Sequence, residues 1–159
     1  MDPAAHEPGL EDARELPLDA SDGWPDLKGV HVMLIEDNSD TRLMVDEVLR
    51  HCGAVVTTYD SASVALDHLT EFLPTVFICD LSIPGLDGMQ FMKRIRALPA
   101  SRGSSTPALA VTAYDVDYAA PAAHDAGFNA YLTKPLRLDV LCTVVKELAG
   151  HAAPRPKVA

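Results

Sequence analysis

Apolar residues occur as short runs that alternate with segments of helical periodicity along most of the chain. Residues 30–35 form an almost continuous apolar run, which is typical of a strand covered on both faces. The next segment has one apolar face and stops at Gly53, a residue type that commonly ends helices. This face consists of Met44, Val45, Val48, Leu49 and Cys52. The pattern therefore predicts one strand followed by one helix.

The same alternation repeats to the end of the chain. Further strands are predicted at residues 54–59, 75–79, 107–111 and 129–132. The apolar stripes of the helices that follow are Ala62, Ala65, Leu66, Leu69 and Leu73; Met89, Phe91, Met92 and Ile95; and Leu138, Leu141, Val144, Val145 and Leu148. A weaker alanine-rich helix leads to Gly127. Five strand–helix units with short connections predict an α/β fold, a parallel sheet with helices on both faces.

Proline and polar residues mark where the middle helices stop. The second helix is predicted to end at Pro74 and the third before Pro99. The polar stretch 101–106 is predicted to be a loop before the fourth strand.

Chemically active side chains follow the predicted strands at the ends where such sheets collect function. Glu36 and Asp37 follow the first strand, Asp80 the third, Thr112 the fourth and Lys134 the fifth. Like charges about 4 Å apart repel by about 4 kcal/mol at an effective dielectric of roughly 20, so clustered carboxylates need a compensating cation. Oxygen-only ligands with room for retained waters suit Mg²⁺ or Mn²⁺ better than Zn²⁺.

This set of side chains is suited to phosphoryl transfer. A bound metal ion would screen the acids from one another and hold a phosphoryl oxygen against Asp80, so that this carboxylate can attack as a nucleophile. Lys134 and the Thr112 hydroxyl would neutralise and hydrogen-bond the remaining oxygens.

Length and composition allow one compact domain. The chain has 159 residues, 48% of them hydrophobic, which suffices for one core but not for a second full domain. No apolar run approaches the roughly 20 residues needed to cross a bilayer, and the first residues do not form a signal sequence. We therefore expect a cytoplasmic protein. Cys52, Cys79 and Cys142 lack the spacing of a metal site and are expected to be small buried residues.

The net charge of −10 is concentrated at the start of the chain. Residues 1–29 hold eight acids and two bases, whereas residues 30–159 hold fifteen acids and eleven bases. An acidic chain without a basic stripe argues against nucleic acid or an anionic membrane as a direct partner. Residues 1–28 contain four prolines and are predicted to be a disordered acidic leader, with Trp24 as an anchor at the domain edge. Residues 29–149 are the predicted domain, and 150–159 a frayed tail.

The motifs at the strand ends resemble the receiver domains of two-component response regulators. They are Ile35-Glu36-Asp37-Asn38, Asp80-Leu81-Ser82-Ile83-Pro84-Gly85, Thr112-Ala113 and Tyr131-Leu132-Thr133-Lys134-Pro135. Each motif alone is weak, but all of them in order on successive strand ends are specific. The resemblance covers about residues 29–149 and implies a flavodoxin-like, doubly wound, five-stranded parallel sheet with strand order 2-1-3-4-5 and five helices.

The resemblance also implies roles for individual residues. Glu36 and Asp37 would hold Mg²⁺ or Mn²⁺, Asp80 would be both metal ligand and phosphoacceptor, and Ser82 would offer its backbone carbonyl to the metal. Lys134 would contact Asp80 and then the phosphoryl group.

A switching function follows from the same resemblance. Thr112 would move toward the phosphoryl group and Tyr131 would turn inward behind it, with a cis peptide before Pro135. The phosphodonor would be a histidine kinase or a histidine phosphotransfer protein, and a downstream protein partner would respond to the switch. Such a protein assists its own phosphoryl transfer but turns over no separate substrate. A homodimer is one mode in which it could act.

Ordinary structural roles are the alternatives for these residues. The acidic pair after the first strand could be a solvated loop, and Asp80 could be a helix N-cap, although Pro84 and Gly85 separate it from the helix. Further alternatives are a strand residue for Thr112, a turn lysine for Lys134 and a packing aromatic for Tyr131.

Two other functions stay open. An aspartyl-nucleophile phosphatase generally presents Asp-x-Asp, whose second acid donates a proton, but Ser82 occupies that position here. A receiver-like docking module that works without phosphorylation is the second. The sequence also leaves open whether the domain is a free-standing regulator or part of a hybrid sensor kinase.

Pro121 departs from the family pattern because it falls in the middle of the fourth helical segment. Proline removes a backbone donor and tends to break or restart a helix. We therefore predict a shortened or kinked fourth helix that starts near Pro121, which calls dimerisation through this helix into question.

Overall fold

The computed structural model describes residues 23–69, 72–83, 85–113 and 116–150. The strands are β1 (His31–Ile35), β2 (Val55–Tyr59), β3 (Val76–Asp80), β4 (Ala108–Thr112) and β5 (Ala130–Thr133). The α-helices are α1 (Ser39–His51), α2 (Ala62–His68), α3 (Gly88–Arg96), α4 (Val116–Ala126) and α5 (Leu138–Gly150), and a short 3₁₀ helix spans Ala100–Arg102. The described residues thus contain the alternation of strands and helices that the sequence predicts.

The strands form one sheet in the order β2-β1-β3-β4-β5, and all neighbouring pairs are parallel. This confirms the predicted doubly wound fold and its strand order. Successive residues of β1 enter different cores: Met33 packs with residues of α2, α3 and α4, whereas Val32 and Leu34 pack with residues of α1 and α5. Both faces of the sheet are therefore covered, which explains why the strands are continuous apolar runs.

Side-chain caps explain where three helices begin. The Asn38 side chain accepts from the Thr41 N–H at 2.8 Å, and the Ser61 hydroxyl accepts from the Val64 N–H. Asp87 and Gln90 form a reciprocal capping box at the start of α3. Asp87 is thus the N-cap of α3.

Two helices differ from the sequence-based prediction. The described part of α2 ends at His68, and Leu73 lies outside it, because the Leu69 N–H already closes the last turn onto Leu66 and a residue before proline disfavours helical geometry. The prediction that the fourth helix starts near Pro121 is wrong, since α4 begins at Val116 and includes that proline. Pro121 is exposed, so water can replace the one hydrogen bond that it removes from the helix.

The folded unit begins before the boundary predicted at residue 28. Leu27 is completely buried, and its N–H donates to the Cys52 carbonyl at 2.7 Å. Trp24 is partly buried and packs against the core shared with α1 and α5, as expected of an edge anchor. Residues 24–28 therefore belong to the domain, whereas the predictions for 1–22 and 151–159 lie outside the described residues.

Arg96 fastens the end of α3 to the loops around it. Its guanidinium donates to the carbonyl oxygens of Gly103, Thr106 and Gly127 at 2.7–3.1 Å, although burial lowers its pKa. The polar loop before β4 is therefore held against the end of α3. All three cysteines are free and buried, as predicted. None of the described helices is long and apolar enough to cross a bilayer.

Candidate functional site

The fold brings the predicted chemical residues to one edge of the sheet. Glu36 directly follows β1, Asp80 and Thr112 are the last residues of β3 and β4, and Lys134 directly follows β5. Because the strands are parallel, these positions all lie at the carboxyl edge, where open α/β sheets place their ligands. The Lys134 N–H donates to the Thr112 carbonyl at 2.8 Å, which continues the β4–β5 pairing to the site.

Three carboxylates meet at this edge. Glu36, Asp37 and Asp80 each offer an oxygen, and these oxygens lie within 4.8 Å of one another. Glu36 and Asp80 are only 3% and 4% exposed, whereas Asp37 is exposed. Hard divalent cations prefer such all-oxygen sites, and the exposed side leaves room for bound water. The donor set therefore fits Mg²⁺ or Mn²⁺.

Lys134 supplies the positive charge among these acids. Its Nζ lies 3.0 Å from an oxygen of Asp80 and 3.1 Å from Oε1 of Glu36. Burial alone would lower the pKa of Lys134, but the hydrogen bonds and charges of the two carboxylates outweigh it and raise the pKa above its ordinary value. The ammonium is therefore fixed between the two buried acids. The Lys134–Pro135 peptide bond is cis, as the resemblance implies.

Glu36 is held from several directions. Its backbone N–H donates to the Tyr59 carbonyl at 3.0 Å, and its carboxylate accepts from the Asn38 N–H at 3.1 Å. Burial raises the pKa of Glu36, and the charge of Asp80 adds to this, while the bonds from Asn38 and Lys134 oppose it. The site therefore imposes a cost on this carboxylate that a bound cation would relieve.

Asp80 keeps both carboxylate oxygens engaged. One accepts from the Ser82 N–H at 2.9 Å and the other from Lys134. The start of α3 packs closely beneath it, since a Cβ at Gly88 would lie 2.7 Å from the Asp80 carbonyl oxygen. Asp80 is thus fixed at the strand end and is not the N-cap of α3, a role that belongs to Asp87.

The other predicted residues lie around this cluster. Thr112 is completely buried at the end of β4, and Ser82 is exposed beside Asp80. The Tyr131 hydroxyl lies 3.5 Å from the Phe128 carbonyl oxygen, and its ring packs against the core shared with α2, α3 and α4. Burial raises the pKa of Tyr131, and the charge of Asp125 adds to this. The structure thus places Tyr131 in packing contacts rather than among the acids.

Three residues support the site in roles that the sequence analysis did not assign, although Asn38 belongs to the first of its motifs. Asn38 caps α1 and donates its N–H to Glu36, and Arg42 donates to backbone carbonyls of the acidic loop. Gly88 allows α3 to approach the Asp80 backbone. The capping role of Asn38 could have been predicted from the sequence, because asparagine directly before a helix is a preferred N-cap. Arg42 and Gly88 act through contacts between segments that no local pattern reveals.

Comparisons with known proteins agree with this geometry. The chain matches the family model of the response regulator receiver domain over residues 32–146. It is 37% identical over 110 residues to an uncharacterized 14.6 kDa protein of Leptolyngbya boryana, a match that covers 69% of this chain and 82% of the relative. Several longer transcriptional regulators and a sensor protein match over 74–79% of this chain but only 14–25% of their own length.

Solved structures show the same fold. A crystal structure of a candidate response regulator from Chloroflexus aurantiacus J-10-fl has a TM-score of 0.73 and 32% identity, covering 78% of this chain and all of the other. The receiver domain of a sensor histidine kinase from Pseudomonas aeruginosa PAO1 has a TM-score of 0.70 and 27% identity, covering 77% of this chain and 98% of the other. That structure has a magnesium ion coordinated in its active site cleft.

Proposed function

Because the chain belongs to the response regulator receiver domain family and hence to two-component signalling, we propose that Asp80 accepts a phosphoryl group from a phosphohistidine donor. The observation that carries the proposal is the arrangement of Lys134, 3.0 Å from Asp80, beside acid oxygens that lie within 4.8 Å of one another. This arrangement supplies one nucleophile, a site for a divalent cation and a fixed positive charge. Phosphoryl transfer depends mainly on such positioning and charge stabilisation.

In the proposed reaction an Asp80 oxygen attacks the phosphorus atom of the donor. An oxygen–phosphorus bond forms as the donor's phosphorus–nitrogen bond breaks, and the imidazole nitrogen keeps the bonding electron pair. The Ser82 N–H and Lys134 hold the Asp80 carboxylate in place before the reaction. Lys134 then stays close enough to neutralise an oxygen of the transferred group, and Thr112 lies at the end of the neighbouring strand β4 to donate a hydrogen bond.

Glu36, Asp37 and Asp80 would hold the metal ion, and the Ser82 carbonyl would complete the protein ligands. Bound Mg²⁺ or Mn²⁺ would withdraw charge from the phosphoryl oxygens and screen the acids from one another. Two findings support this assignment: the all-oxygen donor set and the magnesium ion in the related Pseudomonas aeruginosa receiver domain. No separate substrate is turned over in this scheme, so the protein acts as a switch rather than as an enzyme.

The proposed donor is a histidine kinase or a histidine phosphotransfer protein in the cytoplasm. The support for a kinase is that a similar solved domain is part of a sensor histidine kinase. Phosphorylation would bias a pre-existing equilibrium in the segments of Thr112 and Tyr131, since a new charge can only shift states that it stabilises differently. A downstream protein would bind the favoured state, either to a monomer or to a homodimer.

Intact-mass measurement tests the proposal directly. The protein is incubated with acetyl phosphate and Mg²⁺, and Asp80→Ala is treated in parallel. We expect the mass of one phosphoryl group to be added to the wild type alone, and the adduct to disappear when EDTA replaces Mg²⁺. Circular dichroism establishes that the variant is folded.

The other outcomes identify the alternatives. A folded wild type that gains no phosphoryl group from acetyl phosphate or from a phosphorylated histidine phosphotransfer protein would indicate a docking module. Steady release of phosphate from varied phosphate esters would indicate a phosphatase, which Ser82 at the second position of the motif argues against.

A further inference from the structure

Arg42 contacts the backbone of the loop that carries two of the three acids. Its Nη1 donates a hydrogen bond to the Glu36 carbonyl at 2.8 Å and a longer one to the Asp37 carbonyl at 3.4 Å. Arg42 lies near the start of α1, which follows this loop directly. One side-chain nitrogen on a regular helix therefore holds two successive carbonyl groups of an irregular segment.

The same loop is also held by one bond to the sheet and by one bond within the loop. The Glu36 N–H donates to the Tyr59 carbonyl at 3.0 Å, and the Asn38 N–H donates to the Glu36 carboxylate at 3.1 Å. Neither bond fixes the orientation of the peptide group that joins Glu36 to Asp37. A rotation about the Cα–C bond of Glu36 that φ of Asp37 does not compensate redirects the chain after Glu36, and so moves the Asp37 carboxylate relative to those of Glu36 and Asp80. The bonds from Arg42 oppose that rotation.

We propose that Arg42 is a positioning residue of the cation site. By holding the two carbonyls it keeps the Asp37 carboxylate turned toward those of Glu36 and Asp80 and so increases the affinity for a divalent cation. This inference rests on the proposed function, because it concerns the metal site of that reaction. Groups that orient metal ligands from outside the coordination sphere typically change metal affinity by about 10- to 100-fold when removed.

The charge of Arg42 gives the opposite expectation, which makes the proposal testable. A guanidinium close to the acids repels a divalent cation, so removing a charge that does nothing else would tighten Mg²⁺ binding. Removing a residue that positions the metal ligands would instead weaken Mg²⁺ binding. The sign of the change in the Mg²⁺ dissociation constant therefore separates positioning from simple electrostatics.

The test compares Arg42→Met and Arg42→Lys with the control Arg50→Met. Arg50 lies on the same helix and donates to Asp46 and to the Val56 carbonyl, both at 2.6 Å, so its replacement removes the same charge and a similar main-chain contact elsewhere. The Mg²⁺ dissociation constant is measured by isothermal titration calorimetry. Exchange of the Asn38 amide, which reports on the bond to Glu36, is measured by NMR without metal.

We expect Arg42→Met to weaken Mg²⁺ binding by about tenfold and to speed Asn38 exchange relative to amides in β3. Arg42→Lys should recover part of the affinity, because an ammonium can still donate to one carbonyl. Arg50→Met should leave both quantities unchanged. If Arg42→Met lowers thermal stability, the Mg²⁺ dissociation constants of Arg42→Lys and wild type are compared instead. Weaker binding by the lysine variant then supports the inference, and tighter binding contradicts it.

Unchanged or tighter Mg²⁺ binding in Arg42→Met, or an equal loss in Arg50→Met, would overturn the inference. The wild type separates it from the proposed function. Wild type that binds Mg²⁺ but gains no phosphoryl group would refute the proposed function alone, whereas wild type that does not bind Mg²⁺ would overturn both.

Discussion

The Lys134 ammonium lies 3.0 Å from a carboxylate oxygen of Asp80, although 54 residues separate them in sequence. The same nitrogen lies 3.1 Å from Glu36, so one lysine serves as the counter-charge of two buried acids. A divalent cation or a phosphoryl group would change how this single positive charge is shared. The pair therefore links the stability of the fold to the occupancy of the site.

Replacement of Lys134 by Met should destabilise the metal-free protein at neutral pH. Breaking a buried ion pair by removing one partner typically costs about 3–5 kcal/mol, and we expect about 1–3 kcal/mol because a quarter of the lysine side chain is exposed. The raised pKa of Lys134 means that its contribution is fully present below the ordinary value of 10.5 and is lost as pH rises through the folded value. Denaturant unfolding of both proteins measures the loss.

Lys146→Met is the matched control, since the Lys146 ammonium donates only to the exposed Asp26 carbonyl among the described contacts. It should change the free energy of unfolding by less than about 0.5 kcal/mol. Acidification should restore part of the stability of Lys134→Met, because protonation removes the unpaired charges. Equal losses in the two variants would show that the acids do not depend on Lys134.

Mg²⁺ should stabilise the wild type, and Asp37→Asn should remove this effect. A ligand at 100 times its dissociation constant adds about 2.7 kcal/mol to the free energy of unfolding when it binds only the folded state. Asp37 is exposed, so its replacement should change the metal-free stability by less than about 0.5 kcal/mol. Thermal unfolding with and without Mg²⁺ measures both quantities. An Asp37→Asn protein that Mg²⁺ stabilises as strongly as the wild type would exclude Asp37 as a ligand.

Much of this fold follows from local pattern. The run that becomes β1 is continuously apolar because alternate residues enter two different cores, and the parallel topology follows from the strand–helix alternation. Pro121 shows the limit of such reasoning. Its local preference to start a helix does not prevail, because Pro121 is exposed and water can replace the one hydrogen bond that it removes from α4.

The charged residues of the site could be predicted from the sequence, but the residues that position them could not. Glu36, Asp80 and Lys134 lie at strand ends, and the rule for parallel sheets is enough to bring them together. The contacts of Arg42 with main-chain carbonyls and of Gly88 with the Asp80 backbone depend on how a helix sits against a loop, which periodicity does not encode. Supporting residues of this kind require the three-dimensional structure.

Gly88→Ala should destabilise the protein even though alanine favours helices. A Cβ at this position would lie 2.7 Å from the Asp80 carbonyl oxygen and 2.9 Å from the Leu81 Cα, and neither backbone atom can rotate away. Overpacking of this kind typically costs about 1–3 kcal/mol, more than the roughly 1 kcal/mol gained in helix propensity. Denaturant unfolding measures the difference. Gly150→Ala is the control, because nothing lies within 4 Å of its added Cβ, and this variant should not be destabilised.

The three thiols should be unreactive in the folded protein. The Cys52 and Cys142 sulfur atoms lie 4.0 Å apart, and all three cysteines are buried. Burial raises the pKa of each thiol, most clearly for Cys79, which the charges of Asp80 and Glu36 raise further. Because the thiolate is the nucleophile, a disulfide reagent at about pH 8 should react slowly with the native protein and with all three thiols after unfolding. Rapid loss of one thiol from the native protein would contradict this, and Cys52→Ser and Cys142→Ser would then identify which buried sulfur opens to solvent.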